Sequence, residues 1–338
     1  MKNEITVVDV TLRDGGYANN YGFTKKNVQE IAGALDEAGV KFVEIGHGYG
    51  LGAEKVLEKM TQTDKEYIAC LKGYLKKAKF GMFAMAGICS IRDINQAAKQ
   101  GMDFIRIGSV HNKGDHGIEK AIPLLKCALD NNMWVSSNLL KINIYSPKEA
   151  AKVANKLERI GINTVYLVDS SGGMLPEQIR EYVKLIKKET SLQVGMHAHQ
   201  NLGLGVANSL AAVQAGATFV DGTLLGIGRD AGNAQLETLI AILNRMGYDT
   251  GIDLYKLFNI SKNYIKPIIP KFPGVEEKNL MLGYACMHTL ALNPSIKLAE
   301  KYDFDWRDFL LYLQKSRLKF EDPKIIEEMA KRFKSCKK

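Results

Sequence analysis

Long apolar runs and paired cysteines are both lacking in this chain of 338 residues. No apolar run approaches the roughly 18 residues that a membrane-spanning helix needs, so we expect no contact with a membrane. The five cysteines are scattered and form no Cys-x-x-Cys pair, which is typical of reduced thiols in the cytoplasm. Acidic residues at Glu4 and Asp9 interrupt the start of the chain, which disfavours a signal peptide. These features predict a cytoplasmic protein.

Positively charged residues are in modest excess, with 46 Lys and Arg against 37 Asp and Glu. Much of the excess lies in helical stretches and in the tail at 331–338, and no basic run alternates with aromatic residues. A solvated, mildly basic surface therefore explains the charge better than a nucleic-acid site does. Hydrophobic residues make up 46% of the chain and charged residues 25%, which excludes a disordered or low-complexity protein.

A repeated sequence pattern predicts the architecture. Segments with helical periodicity end in glycine, and a short apolar strand follows each of them directly. The glycines are Gly39, Gly101, Gly161 and Gly216. They recur about every 60 residues, twice the length of a βα unit, so one further strand should lie between each pair. Together these positions predict eight strands, near 5–10, 41–45, 79–85, 104–107, 133–138, 164–168, 191–197 and 218–220.

The intervening segments have the periodicity of amphipathic helices. After Thr24 as a predicted N-cap, apolar residues Val28, Ile31 and Leu35 share one face. Apolar strands that alternate with such helices favour a parallel sheet covered by helices. Eight units in about 250 residues favour an α/β fold of the (β/α)8 TIM-barrel class, and an open doubly wound sheet is the alternative.

The βα pattern ends near Ile260, and a segment with three prolines follows at 267–273. Beyond it, residues 280–292, 294–302, 305–315 and 323–333 have helical patterns. We therefore predict two domains, a barrel at 1–262 and a small all-helical C-terminal domain at 263–338. The second is too small for an ample core, so we expect it to pack on the barrel or on a partner.

Polar residues concentrate at the ends of the predicted strands, where TIM barrels carry their chemistry. His197 and His199 alternate with Ala198 at the end of strand 7, so both imidazoles leave the strand on one face. Asp14 follows strand 1, two strands away around the barrel. Two imidazoles and a carboxylate form a facial metal site with open positions. A pair of hydrogen-bonded histidines is the competing interpretation of His197 and His199.

Arg13, beside Asp14, is suited to bind a carboxylate and to stabilise an enolate. A structural ion pair with Glu44 on the neighbouring strand is an equally good explanation, and both can hold together. Ser170, in the Asp-Ser-Ser-Gly segment after strand 6, offers a hydroxyl to a substrate carboxylate. The glycines at 226–232 favour tight turns.

With these residues in view, the chain resembles the metal-dependent lyases named for an Asp, an Arg and a Glu on a TIM barrel, a superfamily that contains HMG-CoA lyase. Within it, several segments resemble the 4-hydroxy-2-oxovalerate aldolases most closely. The segments are 11–15, 44–48, 203–208, 231–233, 250–256 and, in the helical tail, 282–285. The resemblance covers nearly the whole chain.

The resemblance implies a divalent metal, usually Mn²⁺ with Mg²⁺ or Co²⁺ as alternatives, held by Asp14, His197 and His199 and chelating pyruvate or its enolate. Arg13 would stabilise the enolate oxygen, with Glu44 as a further catalytic residue. Ser170 would meet the substrate carboxylate, and His197 and His47 would also contact the substrate. The implied reaction is reversible cleavage of a 4-hydroxy-2-oxo acid to pyruvate and an aldehyde. Members of the family often pair with an acylating aldehyde dehydrogenase, and we expect a homo-oligomer.

Two positions depart from the aldolase pattern. The aldolases carry a His base three residues after the metal Asp, where this chain has Tyr17, and acyl-CoA members of the superfamily have Gln there. The aldolases' active-site Tyr in the C-terminal domain corresponds to His288. We predict that the two roles have changed places, with His288 as the base and Tyr17 orienting the substrate. A metal-bound water, His47 or Lys141 is the alternative base.

Three other functions compete with the aldolase. An acyl-CoA Claisen synthase or lyase of the same superfamily is disfavoured by Tyr17 and by a tail unlike the known regulatory domains. An iron oxygenase with two histidines and one carboxylate usually has a cupin-like β-fold. A basic barrel that binds nucleic acid would need salt-sensitive binding to oligonucleotides.

Overall fold

The computed structural model describes residues 4–56, 61–110, 118–316 and 323–336. Its centre is a closed barrel of eight parallel strands, in which each strand pairs with the next and the last pairs with the first. The strands are β1 Thr6–Asp9, β2 Phe42–Ile45, β3 Lys79–Met85, β4 Phe104–Val110, β5 Trp134–Leu140, β6 Thr164–Asp169, β7 Gln193–Ala198 and β8 Phe219–Gly222. The predicted (β/α)8 barrel is confirmed, and the open sheet is excluded.

Helices surround the barrel and cover its outer face. They are α1 Lys25–Glu37, α2 Asp64–Leu71, α3 Ile91–Lys99, α4 Ile118–Asp130, α5 Pro147–Ile160, α6 Pro176–Glu189, α7 Gly205–Gln214, α8 Leu236–Arg245 and α9 Leu254–Ile260, which continues as a π-helical turn at Ser261–Ile265. The predicted cap of α1 is confirmed, because Thr24 Oγ1 accepts the backbone N–H of Asn27 at 3.2 Å. In the described part of the chain, no helix is both long and apolar enough to span a bilayer.

The barrel interior changes from apolar to charged along the strand direction. Phe42, Phe104 and Phe219 pack their rings together or against Trp134 near the amino ends of their strands. Two residues further along, the same strands point Glu44, Arg106 and Asp221 into the interior, as the alternation of side chains requires. The ionisable groups therefore form a layer between the aromatic floor and the carboxyl ends of the strands.

The C-terminal segment is helical, with α10 Glu277–Tyr284, α11 Leu292–Tyr302, α12 Trp306–Ser316 and α13 Pro323–Cys336. Its buried apolar residues form a cluster separate from the barrel core. The boundary after residue 262 stays a prediction. Helical backbone runs across that position, and Ile265 and Ile269 pack with the barrel core.

The helix predicted across residues 280–292 is wrong. Helix α10 ends at Tyr284, and Cys286 follows with a left-handed φ of 48°. His288 then caps a short 3-10 turn at Thr289–Ala291 that leads into α11. His111 and His116, which the sequence predicts to be solvated, lie outside the described residues.

Candidate active site and metal centre

Asp14, His197 and His199 come together at the carboxyl end of the barrel. One ligand atom from each residue lies within 4.8 Å of the other two, and all three side chains are buried. His197 belongs to β7 and His199 follows it, so the intervening Ala198 puts both imidazoles on the same side. Asp14 begins the short 3-10 turn after β1. The predicted grouping is what the structure has.

The protonation of this group suits a divalent cation. Burial alone would raise the pKa of Asp14, but Arg13, the two imidazoles and a hydrogen bond from Asn233 lower it below its usual range. Burial, followed by the charge of Arg229, holds the pKa of His199 well below its usual value. The carboxylate is therefore ionised and His199 is neutral, which is the state that metal ligands require.

His197 has a defined orientation. Its Nδ1 lies 2.8 Å from Oδ2 of Asp221. Burial would raise the pKa of Asp221, but Arg106 and His197 lower it, so the carboxylate is ionised and can only accept a hydrogen bond. The Nδ1 atom of His197 therefore donates, and Nε2 keeps its lone pair for a metal ion. A carboxylate behind a ligating imidazole is the usual support of a zinc or manganese site.

Arg13 contacts both the metal group and the layer beneath it. Its Nε donates to Glu44 Oε2 and its Nη1 donates to Asp14 Oδ1, each at 2.6 Å. The predicted ion pair with Glu44 is thus present, and Arg13 also lines the cavity above the metal group. Among the described residues, Nη2 has no hydrogen-bond partner, so it remains for a ligand.

Glu44 lies behind Arg13 and does not line the cavity. It is fully buried, and besides Arg13 it faces Arg106, whose Nη1 is 3.5 Å from Glu44 Oε1. Arg106 also donates from Nη2 to Asp221 at 2.7 Å and lies 4.1 Å above the ring of Tyr166. Glu44 therefore acts on the site through Arg13 and contacts no ligand directly.

Arg106 and Asp221 were not identified from the sequence as site residues. A signal exists, because each is an ionisable residue at an inward position of an otherwise apolar strand. The two residues bind each other but lie 115 residues apart in sequence, and no local pattern predicts that contact.

A cavity of about 150 Å³ opens above the metal group. Four predicted residues besides the metal ligands line it: Arg13, Tyr17, Ser170 and His288. The rest of the wall is mainly apolar or backbone, with Gly48, Tyr49, Phe83, Met85, Asn138, Leu140, Val168, Arg229, Thr289 and Leu290. The cavity wall therefore has arginine side chains next to the metal group and mainly apolar side chains elsewhere.

His47 does not line this cavity. Its ring packs on Tyr21 with centroids 3.6 Å apart, and its Nδ1 accepts the backbone N–H of Tyr49 at 3.1 Å. Burial lowers the pKa of His47 to about 4, so the ring is neutral at pH 7. Its position supports Tyr21 and Tyr49 rather than a direct contact with substrate.

Ser170 and Tyr17 both line the cavity, and the surroundings of their hydroxyl groups differ. Ser170 Oγ accepts the backbone N–H of Lys141 at 2.9 Å, which leaves its own proton for a ligand. Burial, followed by the charge of Asp14, raises the pKa of Tyr17 above its usual value. Tyr17 therefore stays protonated at neutral pH and serves as a hydrogen-bond donor.

The C-terminal segment reaches the cavity because α10 packs very closely on the barrel loops. A Cβ on Gly173 would collide with the carbonyl oxygen of Gly283, so only glycine allows this approach. Asn143 Nδ2 also donates to the carbonyl oxygen of Cys286 at 3.1 Å. These contacts bring His288 over the mouth of the barrel, where it lines the cavity.

Burial lowers the pKa of His288 to about 2, helped by the charges of Arg229 and Lys141. Its Nδ1 accepts the backbone N–H of Leu290 at 3.3 Å. Because Nδ1 accepts in a neutral ring, Nε2 carries the proton in this arrangement. A change of tautomer is then needed before Nε2 can accept a proton.

Arg229 is a third site residue, after Arg106 and Asp221, that was not identified from the sequence. It lies in the glycine-rich loop after β8, whose glycines favour tight turns. Its Nη2 donates to the backbone oxygen of Ser170 at 2.9 Å and lies 3.2 Å from His199 Nε2, and its Nη1 contacts Asp230 at 2.5 Å. The metal group thus has a cation on each side, Arg13 and Arg229.

Known proteins with related sequences match nearly the whole chain. The HMGL-like family profile matches residues 4–263. The 4-hydroxy-2-oxovalerate aldolase of Carboxydothermus hydrogenoformans is 36% identical over 314 residues, which cover 93% of this chain and 92% of that protein. The 4-hydroxy-2-oxovalerate aldolase of Brevibacillus brevis is 34% identical over 342 residues, covering 100% of this chain and 99% of that protein.

Solved structures agree on the fold. The N-terminal domain of a putative aldolase from Bacteroides vulgatus superposes with a TM-score of 0.72 at 27% identity, covering 84% of this chain and 93% of that chain. HMG-CoA lyase from Brucella melitensis superposes with a TM-score of 0.68 at 16% identity, covering 80% and 100%. The sequence matches and the metal group lead to one conclusion: this chain belongs to the HMGL-like family and, within it, to the 4-hydroxy-2-oxovalerate aldolases.

Proposed function

We propose that this protein is a divalent-metal-dependent carbon–carbon lyase that cleaves 4-hydroxy-2-oxo acids to pyruvate and an aldehyde, and also catalyses the reverse addition. The observation that carries the proposal is the group of Asp14, His197 and His199, whose ligand atoms lie within 4.8 Å of one another beside Arg13. The relatives named 4-hydroxy-2-oxovalerate aldolase support the substrate class. The acyl-CoA Claisen alternative is not favoured by any of these names.

The reaction places a proton acceptor and a group that stabilises negative charge at opposite ends of the scissile bond. The C4 hydroxyl loses its proton, the C3–C4 bond breaks, and the aldehyde forms. The electron pair becomes the C2–C3 double bond of pyruvate enolate, with the charge on the C2 oxygen, and protonation of C3 then gives pyruvate. A divalent ion held by the three ligands would supply a Lewis acid for the 2-oxo group, and we propose Mn²⁺, with Mg²⁺ or Co²⁺ as alternatives.

Arg13 is the protein group that we assign to the developing charge. Nη2 of Arg13 remains for the C2 oxygen, because Nε and Nη1 contact Glu44 and Asp14. Two carboxylates thus hold the guanidinium in a fixed plane before the reaction starts, which is how donors lower a barrier without reorganisation. Ser170, whose hydroxyl proton is available, would donate to the substrate carboxylate.

For the proton of the C4 hydroxyl we propose His288, with Tyr17 as the group that orients the hydroxyl. Both residues line the cavity, which supports an exchange of roles between the two positions. Because its pKa is low, the imidazole of His288 is a weak proton acceptor while no anion occupies the cavity. An anionic substrate would offset the cations Arg229 and Lys141 and make the imidazole more basic. Lys141 or a metal-bound water is the remaining alternative. The charge of Lys141 acts on His288, whereas His47 packs on Tyr21 and accepts the backbone N–H of Tyr49.

The partners of this activity are proposals of the same kind. We propose a 2-oxo acid and a small aldehyde as ligands, a homo-oligomer, an acylating aldehyde dehydrogenase as a partner, and no binding to nucleic acid or membranes. A cytoplasmic location is consistent with the five free cysteines. Sedimentation velocity of the protein alone and after mixing with a purified acylating aldehyde dehydrogenase would test the assembly.

The decisive experiment measures pyruvate release from a panel of 4-hydroxy-2-oxo acids, by coupling to lactate dehydrogenase, with chelator-treated protein before and after addition of Mn²⁺. We expect release that depends on Mn²⁺ and is lost in Asp14→Asn. A parallel assay with acetyl-CoA and a thiol reagent tests the Claisen alternative. Thiol release without pyruvate release would contradict the aldolase.

A further inference from the structure

The guanidinium of Arg229 occupies a position that conflicts with metal coordination by His199. Its Nη2 is 3.2 Å from His199 Nε2. An arginine has only donors, so Nε2 must be the unprotonated, accepting nitrogen of a neutral ring. The proton of that ring is then on Nδ1, which is buried and has no hydrogen-bond partner among the residues that the structure describes.

Neither nitrogen of His199 can serve a metal ion while this contact lasts. If Nε2 is the ligand, its lone pair goes to the metal and the hydrogen bond from Arg229 must break. If Nδ1 is the ligand, the proton moves to Nε2, which then faces the donor Nη2 and repels it. Both tautomers lead to the same result: coordination by His199 releases one N–H of Arg229.

The released guanidinium stays at the cavity wall. Two other contacts of Arg229 do not involve the metal group. Its Nη2 donates to the backbone oxygen of Ser170 in the loop after β6, and its Nη1 donates to the adjacent Asp230. The side chain is largely buried and lines the same cavity as Arg13 and Ser170. A buried donor that has lost its partner is costly, so an anion in the cavity gains a strong contact there.

We propose that Arg229 exchanges partners, from His199 to the carboxylate of the 2-oxo acid, when His199 binds the divalent cation. The inference rests on the proposed function, because it takes a 2-oxo acid as the ligand. Arg229 is then a specificity-determining residue that links the two binding steps: the metal ion frees the anchor for the substrate. Metal ion and 2-oxo acid consequently bind in that order.

The test uses Arg229→Met, which keeps the length of the aliphatic stem and removes the donors and the charge. Two dissociation constants are measured by isothermal titration calorimetry on the purified full chain: that of Mn²⁺ for chelator-treated protein, and that of pyruvate for protein saturated with Mn²⁺. We expect Mn²⁺ to bind several-fold more tightly, because a competing hydrogen bond and a like charge are gone. We expect pyruvate to bind about 10- to 100-fold more weakly, the range for loss of a charge-assisted hydrogen bond.

Two further variants serve as controls. Arg229→Lys keeps the charge without the fork and should recover part of the pyruvate affinity. Lys271→Met removes an exposed cation from a neighbouring cavity that Arg229 also borders, and it should change neither constant.

Opposite shifts of the two constants are the result that supports the exchange. Unchanged constants in Arg229→Met would overturn it, and so would a joint loss of Mn²⁺ and pyruvate, which would mean that Arg229 supports the metal site. Parent protein that binds Mn²⁺ without binding pyruvate would instead contradict the proposed function, and that outcome is visible before any variant is made.

Discussion

Asp221 holds the imidazole of His197 in place by a contact of 2.8 Å between Oδ2 and Nδ1. The same oxygen accepts a hydrogen bond from Arg106, which in turn faces Glu44, the partner of Arg13. A line of alternating charges thus connects a metal ligand to the arginine beside the metal group, through the fully buried interior of the barrel. The orientations of His197 and Arg13 therefore both depend on buried groups that contact no ligand.

The first prediction concerns Asp221. Asp221→Asn removes the charge that fixes the tautomer of His197, so we expect the affinity for Mn²⁺ to fall about 10- to 100-fold. Titration of chelator-treated protein with Mn²⁺, followed by electron paramagnetic resonance, measures it. Asp303→Asn, the same substitution at an exposed left-handed position, is the control and should leave the affinity unchanged. Equal affinities in the two variants would show that the contact has no influence on the metal.

Features with a local cause could be predicted from the sequence. All eight strands could be predicted from helical segments that end in glycine and from the apolar runs between them, because both patterns depend only on residues within the segment. The pairing of His197 with His199 followed from side-chain alternation over three residues. The meeting of both with Asp14 followed from the closed order of strands.

Features with a distant cause could not be predicted in this way. The break after Tyr284 arises where α10 packs on Gly173, over a hundred residues earlier, while the local pattern favours a continuous helix. Arg106 and Arg229 gain their importance from partners on other strands and loops. The location of His47 outside the cavity depends on Tyr21, which the metal motif does not include.

The second prediction concerns the metal ligands. Asp14→Asn, His197→Ala and His199→Ala should each lose bound Mn²⁺ and activity, because each removes one of three ligands. Metal content by mass spectrometry and folding by circular dichroism are measured together. His47→Ala is a matched control, since it removes a buried neutral histidine near the site that does not line the cavity, and it should keep its metal. Full metal content in all three ligand variants would mean that the site lies elsewhere.

The third prediction concerns Arg13. Arg13→Lys keeps the charge but cannot reproduce the planar set of donors to Glu44, Asp14 and a ligand. We expect kcat to fall on the order of 10²-fold, as for loss of one oxyanion donor. Steady-state kinetics of pyruvate release gives kcat and KM separately. Arg180→Lys, an exposed arginine paired with Glu177, is the control. A change confined to KM would make Arg13 a ground-state anchor instead.

The fourth prediction concerns His288 and the shape of the pH profile. His288→Asn preserves a side-chain acceptor for the N–H of Leu290 and removes the proposed base. We expect kcat to fall about 10²-fold or more, the usual contribution of a general base. Because burial lowers the pKa of His288 to about 2, the imidazole is already neutral across pH 5–8. The kcat/KM profile should therefore keep its shape over that range while its height falls.

The fifth prediction is that the free energy of unfolding decreases as the pH is lowered from 7 to 5, in part because of His288. The pKa of His288 in the folded protein, about 2, lies below the value of about 6.5 expected in the unfolded chain. The unfolded state therefore binds more protons between these two values, and stability is lost as the pH falls through that window. The Tm of His288→Asn should decrease less between pH 7 and pH 5 than the Tm of the parent. Tyr17→Phe, which keeps the ring at the same cavity, should follow the parent.

Two results would reject this account of His288. Parent turnover in His288→Asn would remove the residue from the chemistry, leaving Lys141 or a metal-bound water as the base. An acidic limb near pH 6.5 in the parent that disappears in the variant would mean that the imidazole is hydrated, so that α10 does not seat His288 against the cavity. Since the close approach of Gly173 to the carbonyl oxygen of Gly283 creates that seat, Gly173→Ala should then produce no change in the profile. If the seat exists, Gly173→Ala should move the parent profile toward an acidic limb.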